Sequence, residues 1–216
     1  MANVEREKQR AAEEAAKLVE NGMLVGLGTG STVAYLLPAL ASRKLDITCV
    51  ATSVKTEAVG KKLGLKIEPF DKLKRLDIAI DGADQVAADG WLIKGGGAAH
   101  TREKIVASAA DRFVVIVSAN KTVPALQPPV PVELLRFGLP STLERIAPTE
   151  IRDAPASPDG GVIADHHGDL RDPAGMAERL SSAAGVVEHG LFGPELVSEV
   201  IVASGEEVRR LTPGAR

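Results

Sequence analysis

Two rhythms of apolar and polar positions alternate along this chain. Over residues 4–21, Val4, Ala11, Ala12, Ala15, Ala16 and Val19 recur at helical spacing among Glu, Arg and Lys. That spacing predicts an amphipathic helix closed by Asn21-Gly22. The apolar run 23–27 predicts a short buried strand, and Gly28-Thr29-Gly30-Ser31-Thr32 a turn opening a second helix through about Ala41. Residues 47–51 predict a second strand, 53–63 a helix, 65–67 a weaker strand, 76–80 a stronger one and 113–117 the clearest of all. Short apolar strands alternating with helices imply parallel βαβ units. The expected class is α/β, with a doubly wound, mostly parallel, Rossmann-like sheet.

The segment Gln127-Pro128-Pro129-Val130-Pro131 breaks this rhythm. Three prolines in five residues are incompatible with a helix or a central strand, so a domain boundary is expected there. Beyond it, residues 141–146, 161–164, 173–183 and 185–188 predict a smaller α+β unit, and 200–203 returns as a strand. The expected division is a large α/β domain of residues 1–128 plus 198–216 and a small α+β domain of residues 129–197. Residues 209–216 read as a frayed end.

Composition narrows the function classes. The 216 residues are 44% hydrophobic and 25% charged, with a formal net charge of -3, which suits a globular protein and gives no basic field for nucleic acid. No apolar run approaches the roughly 20 residues of a membrane span. The first twenty residues are rich in Glu, Lys and Arg and lack the apolar centre of a signal peptide. The single cysteine, Cys49, excludes an internal disulfide and fits a reducing compartment. A cytoplasmic protein with neither nucleic-acid nor membrane partners is expected.

Three constellations carry chemistry. The 28–32 turn places backbone N–H groups and hydroxyls at a helix start, an arrangement that binds phosphate; a plain tight turn is the alternative. With Gly26 included, the run Gly26-Leu27-Gly28-Thr29-Gly30 matches neither G-x-G-x-x-G nor a P-loop, because the third glycine comes one residue early and no lysine follows. Asp81-Gly82-Ala83-Asp84 follows an apolar run, where open α/β sheets bind ligands. An Asx-turn or a Mg²⁺ site are its other readings. Lys94-Gly95-Gly96-Gly97 precedes a helix whose early turn carries Glu103. Three glycines are costly in backbone entropy unless something approaches the main chain closely. A carboxylate over such a loop can serve as a general base, and the lysine and glycine N–H groups can stabilise an oxyanion. A solvated helix face with ion pairs is the bland reading of Arg102-Glu103-Lys104. It yields because Ser118-Ala119-Asn120-Lys121 adds polar groups at a third strand end.

The 28–32 turn, Asp81-Gly82-Ala83-Asp84, the stretch from Lys94 through Ile105, and Lys121 together resemble type A ribose-5-phosphate isomerase in order and spacing. The likeness extends to Gly190-Leu191-Phe192 and covers nearly the whole chain. It implies interconversion of D-ribose 5-phosphate and D-ribulose 5-phosphate through an enediolate, with Glu103 as the base. By the same resemblance, Asp81, Asp84 and Lys94 line the sugar end and assist ring opening and charge stabilisation. Thr29, Gly30, Ser31, Thr32, Gly82, Ala83, Gly95, Gly96, Gly97 and Lys121 would bind substrate, and Lys8 would reach toward the phosphate. No cofactor and no metal are implied, and a homodimer or homotetramer is. A non-catalytic sugar-phosphate sensor domain of the same fold is the rival.

The chain departs from the family at Gln85, where Glu usually follows the aspartate motif. It departs again at Ser157-Pro158-Asp159-Gly160-Gly161, in place of Thr-Asp-Asn-Gly-Asn. Outside these motifs, Cys49 reads as a core thiol, Trp91 as packing beside Lys94, His100 as a surface or interface residue, and His166-His167 as a turn.

Overall fold

A computed structural model describes residues 2–213. Seven strands form the main sheet, in the order Glu207–Leu211, Glu199–Ser204, Phe113–Ser118, Ile78–Asp81, Leu24–Leu27, Thr48–Ala51, Lys66–Ile67. All neighbours are parallel except the first pair. Leaving aside that antiparallel edge strand, the order is that of a doubly wound sheet. Its switch point lies between Leu24–Leu27 and Ile78–Asp81, where a crevice opens beyond the strand ends.

The strand Phe113–Ser118 shows why the sheet is covered on both faces. Val114 and Ile116 enter one core with Ala11, Ala12, Ala15, Leu36 and Leu40 from the first two helices, Ala2–Ala16 and Val33–Ser42. Phe113, Val115 and Val117 enter a second core with Val106 and Ala107 from the helix His100–Ser108. Alternate residues of a strand face opposite sides, so a strand buried on both sides is apolar throughout.

A four-stranded sheet, in the order Thr149–Ile151, Val162–His166, Val130–Leu134, Val186–His189, is antiparallel and packs on the helices Leu139–Arg145 and Pro173–Ser181. A third sheet, Leu191–Phe192, Leu92–Ile93, Gln85–Ala87, Thr122–Val123, links the two.

Several expectations change at this point. Pro131 lies inside Val130–Leu134, an interior strand, where the prolines were expected to exclude one. The reason is local. The Pro131 carbonyl accepts from the Gly190 N–H, and where an ordinary residue would donate back, the Gly190 carbonyl accepts the Lys94 N–H at 2.8 Å instead. The missing proline donor therefore leaves an acceptor that anchors the Lys94 backbone. The first helix ends at Ala16, short of Asn21. Residues 207–211 form an edge strand and are not frayed, while residues 214–216 lie outside the described residues. His166 is a fully buried strand residue, not part of a turn, with Nδ1 2.9 Å from Thr149 Oγ1 and from the Ile146 carbonyl oxygen. The strands Gln85–Ala87, Leu92–Ile93, Thr122–Val123, Thr149–Ile151 and Leu191–Phe192 are too short for a periodic signal.

Candidate active site

The turn after Leu24–Leu27 is held from below. Thr56 Oγ1 donates to the Gly28 carbonyl at 2.9 Å, Thr29 Oγ1 lies 2.8 Å from Thr52 Oγ1, and the Thr29 N–H donates to Asp81 Oδ1 at 3.0 Å. Gly28 is required by packing, since a Cβ there would sit 1.8 Å from Asp81 Cγ. Thr32 stands at the N-cap of Val33–Ser42, yet its hydroxyl makes no capping bond. Helix-start N–H groups and hydroxyls thereby face the crevice.

A small cleft, with about 100 Å³ of water-accessible space, opens at this switch point. Thr29, Gly30, Ser31, Thr32, Gly82, Ala83, Asp84, Lys94, Gly95, Gly96, Gly97, Glu103 and Lys121 line it. The topology thus gathers groups that the sequence spreads over more than ninety residues.

Lys94 and Glu103 are almost fully buried at its floor. The Lys94 ammonium donates to Asp81 Oδ2 at 2.8 Å and to the Gly82 carbonyl at 2.5 Å, and lies 3.1 Å from Glu103 Oε2. It also stands 5.5 Å from the centre of the Phe192 ring. Glu103 points inward because His100, Glu103, Val106 and Ala107 share the buried face of one short helix. Burial, helped by the like charge of Asp81, pushes the Glu103 carboxyl up to about 8, although Lys94 pulls the other way. Burial also raises Asp81 against the opposing pull of Lys94. For Lys94, burial works against the charge, but the two carboxylates outweigh it and hold the ammonium protonated.

Asp81 is the last residue of its strand, and the residues lining the cleft stop short of it; its carboxylate pairs with the Lys94 ammonium at 2.8 Å. Its side chain is turned under Gly28 and against Lys94. Asp84 does line the cleft, with Oδ2 accepting the Gly96 N–H at 2.7 Å. The two aspartates thus face different partners, and among the described residues no three His, Cys, Asp or Glu side chains are grouped to hold a metal ion.

The three glycines answer to different demands. Gly95 has φ +108°, and a Cβ on it would meet His100 and Pro131 below 3 Å; one on Gly96 would strike Asp84 at 2.8 Å. A Cβ on Gly97 would meet only Thr29 Cγ2, at an ordinary 3.6 Å, so its bareness leaves room in the cleft. Ala98 follows with φ +59°, a left-handed conformation costly for a residue with a Cβ.

Other expectations fall away from the cleft. Lys8 pairs with Glu5 on the first helix and does not line the cleft. His100 is fully buried rather than superficial, its Nε2 3.3 Å from the Glu188 carbonyl oxygen. Cys49 is a core thiol that burial pushes up to about 12. Arg152, which no motif marked, reaches from the small sheet to the Gly95 carbonyl at 2.9 Å.

Comparison with known proteins agrees with this geometry. The family description "Ribose 5-phosphate isomerase A (phosphoriboisomerase A)" matches residues 48–207. A DeoR C terminal sensor domain description matches residues 3–63, a stretch that ends before Asp81, Asp84, Lys94 and Glu103. The chain is 45% identical to ribose-5-phosphate isomerase A of Caulobacter vibrioides over 96% of its own length and 98% of the relative's. It is 44% identical to that of Natronomonas pharaonis, over 94% and 96%. Among solved structures it is similar to ribose 5 phosphate isomerase A from Neisseria gonorrhoeae, with TM-score 0.94 and 31% identity over 99% of both chains. A D-ribose-5-phosphate isomerase in complex with phospho-erythronic acid gives TM-score 0.91 and 35% identity over 97% of this chain and 99% of that one. With matches spanning the chain and the cleft residues inside them, this protein belongs to the type A ribose-5-phosphate isomerase family.

Proposed function

We propose that this protein interconverts D-ribose 5-phosphate and D-ribulose 5-phosphate through a cis-enediolate, with Glu103 as the single base. The observation that carries this reading is a buried carboxylate on the cleft floor with its basicity raised toward neutral pH. A base works best when its pKa lies near the operating pH.

Phosphate recognition falls to the helix start after the 28–32 turn and to Lys121. Asp84 keeps an oxygen beyond its Gly96 bond for a sugar hydroxyl and assists ring opening. Glu103 takes the proton from C2 of the open-chain aldose, the C1 carbonyl becomes an enediolate oxygen, and the same carboxyl returns the proton to C1 as the hydroxyl proton on O2 moves to O1.

Lys94 couples these events. Its three N–H groups are directed at Asp81, the Gly82 carbonyl and Glu103. As Glu103 gains the proton it loses its charge, and the ammonium then favours the negative charge developing on the substrate oxygen. Asp81 keeps Lys94 charged and aimed, and the glycine N–H groups add donors in a site of low dielectric. The ammonium also occupies the place between two carboxylates that a bound cation would otherwise take.

A sensor would bind the same sugar phosphate without turnover. Incubating the purified protein with ribose 5-phosphate and measuring ribulose 5-phosphate separates the two: binding without product would establish the sensor and overturn the isomerase. The phospho-erythronic acid in the related structure, an acid carrying oxygen where an enediolate would, supports the same substrate class for this chain.

The same proposal has the chain working in the cytoplasm as a homodimer or homotetramer. Phe137, 94% exposed, and the half-exposed Leu135 support association, and light scattering would read the oligomeric state. Residues 1–128 plus 198–216 would then form the catalytic domain and 129–197 an inserted one. Sheet membership supports that division, except that Leu191–Phe192 pairs with Leu92–Ile93.

A further inference from the structure

We infer that Arg152, held by Asp165, is a positioning residue for the isomerisation proposed above, fixing the Gly95–Gly96 peptide so that the glycine loop presents its N–H groups to the reacting oxygens. Arg152 lies just past the edge strand Thr149–Ile151 of the small sheet, remote in sequence from every motif at the cleft. Its Nε donates to Asp165 Oδ2 at 2.8 Å and its Nη2 to Asp165 Oδ1 at 2.5 Å, a two-pronged pairing that fixes the plane of the guanidinium. The remaining Nη1 donates to the Gly95 carbonyl at 2.9 Å.

That carbonyl and the Gly96 N–H belong to one peptide unit. In a trans peptide the two groups point in opposite directions. In this loop the N–H end is held by Asp84 Oδ2 at 2.7 Å and the carbonyl end by Arg152 at 2.9 Å together with the Ala98 N–H at 3.1 Å. The unit is therefore gripped from both sides, by a cleft aspartate and by an arginine of the small sheet. Such a grip is needed because both flanking residues are glycines, one of them at φ +108°, and glycine peptides rotate with little steric resistance. Among the described residues, the N–H of the next unit, at Gly97, has no protein partner, and Gly97 lines the cleft. A turn of the 95–96 peptide would carry this donor with it.

The test compares the parent with Arg152→Met, Arg152→Lys, Asp165→Asn and the double variant Arg152→Met/Asp165→Asn, each assayed for ribulose 5-phosphate formation and melted by circular dichroism. Displacing a catalytic group by about 1 Å costs up to 100-fold. The expected result is a 10- to 100-fold lower kcat for Arg152→Met with KM changed less than threefold, a smaller loss for Arg152→Lys, and a loss for Asp165→Asn that does not add to that of Arg152→Met. An Arg152→Met enzyme whose kcat per folded molecule equals the parent's would overturn the inference, even if its melting temperature fell, because the arginine would then be structural only. Additive losses for the two single variants would overturn the role of Asp165. Failure of the parent itself to isomerise would instead strike the proposed function, so the two failures are distinguishable.

Discussion

Changing Glu103 to Gln preserves shape while removing the one group assigned to carbon-proton transfer. The structure argues that folding survives. An amide oxygen can still accept from Lys94, whose bonds to Asp81 at 2.8 Å and to the Gly82 carbonyl at 2.5 Å do not involve Glu103. The floor of the cleft then holds one ammonium and one carboxylate instead of one ammonium and two carboxylates. General-base loss should lower kcat by roughly 10²- to 10⁴-fold, with KM within a few-fold because the phosphate contacts lie elsewhere. The pH dependence supplies an independent magnitude. Only the ionised carboxylate is a base, so with its pKa at about 8 the parent's kcat/KM should fall roughly 50-fold from pH 8 to pH 6, and the variant's residual rate should lose that limb.

Stability gives the opposite sign. A carboxyl raised in the folded state favours folding below its unfolded value of 4.5, and that contribution is lost as pH rises toward 8. Glu103→Gln should therefore melt higher than the parent at pH 8, with the difference shrinking toward pH 5. The assay pairs kcat, by coupled detection of ribulose 5-phosphate, with exchange of the substrate C2 hydrogen into deuterated water by NMR. A variant that isomerises and exchanges within a few-fold of the parent would refute the reasoning.

Lys94→Met leaves Asp81 and Glu103 buried side by side without their shared cation. It should cost on the order of 3 kcal/mol, or roughly 6–12 °C in melting temperature at pH 7; a shift under about 2 °C by calorimetry would contradict a cleft floor held together by that ammonium. Replacing Ser31 and Thr32 by Ala should raise KM for ribose 5-phosphate, each lost bond being worth about 1.5–3 kcal/mol, while leaving the reaction of unphosphorylated ribose nearly unchanged. Equal losses on both sugars would remove the 28–32 turn from phosphate recognition. Exhaustive EDTA treatment should leave turnover intact, since Asp81 is paired with Lys94 and Asp84 with the Gly96 N–H; activity lost to EDTA and restored by Mg²⁺ would return Asp81 and Asp84 to a metal role.

Local pattern determined much of this protein. The strand rhythm of residues 23–27, 47–51, 76–80 and 113–117 is an apolar run repeated between helices, and only a sheet covered on both faces buries such runs. The turn at 28–32, the Asp81 to Asp84 loop, the triple glycine and Glu103 were legible because each is a dense local departure from what a core requires. What the tertiary structure alone decided depends on partners distant in sequence. That Asp81 lies under Gly28 and against Lys94 follows from Gly28, fifty-odd residues away, having no side chain. That Pro131 sits in an interior strand follows from the carbonyl of Gly190 turning to the Lys94 backbone. Arg152 was invisible for the same reason: a lone arginine near a strand end carries no periodic or motif signal, and its meaning arises only when the small sheet carries it to the carbonyl of Gly95. Short strands paired across long separations and a charge raised by burial are properties of the assembled core, which no window of residues contains.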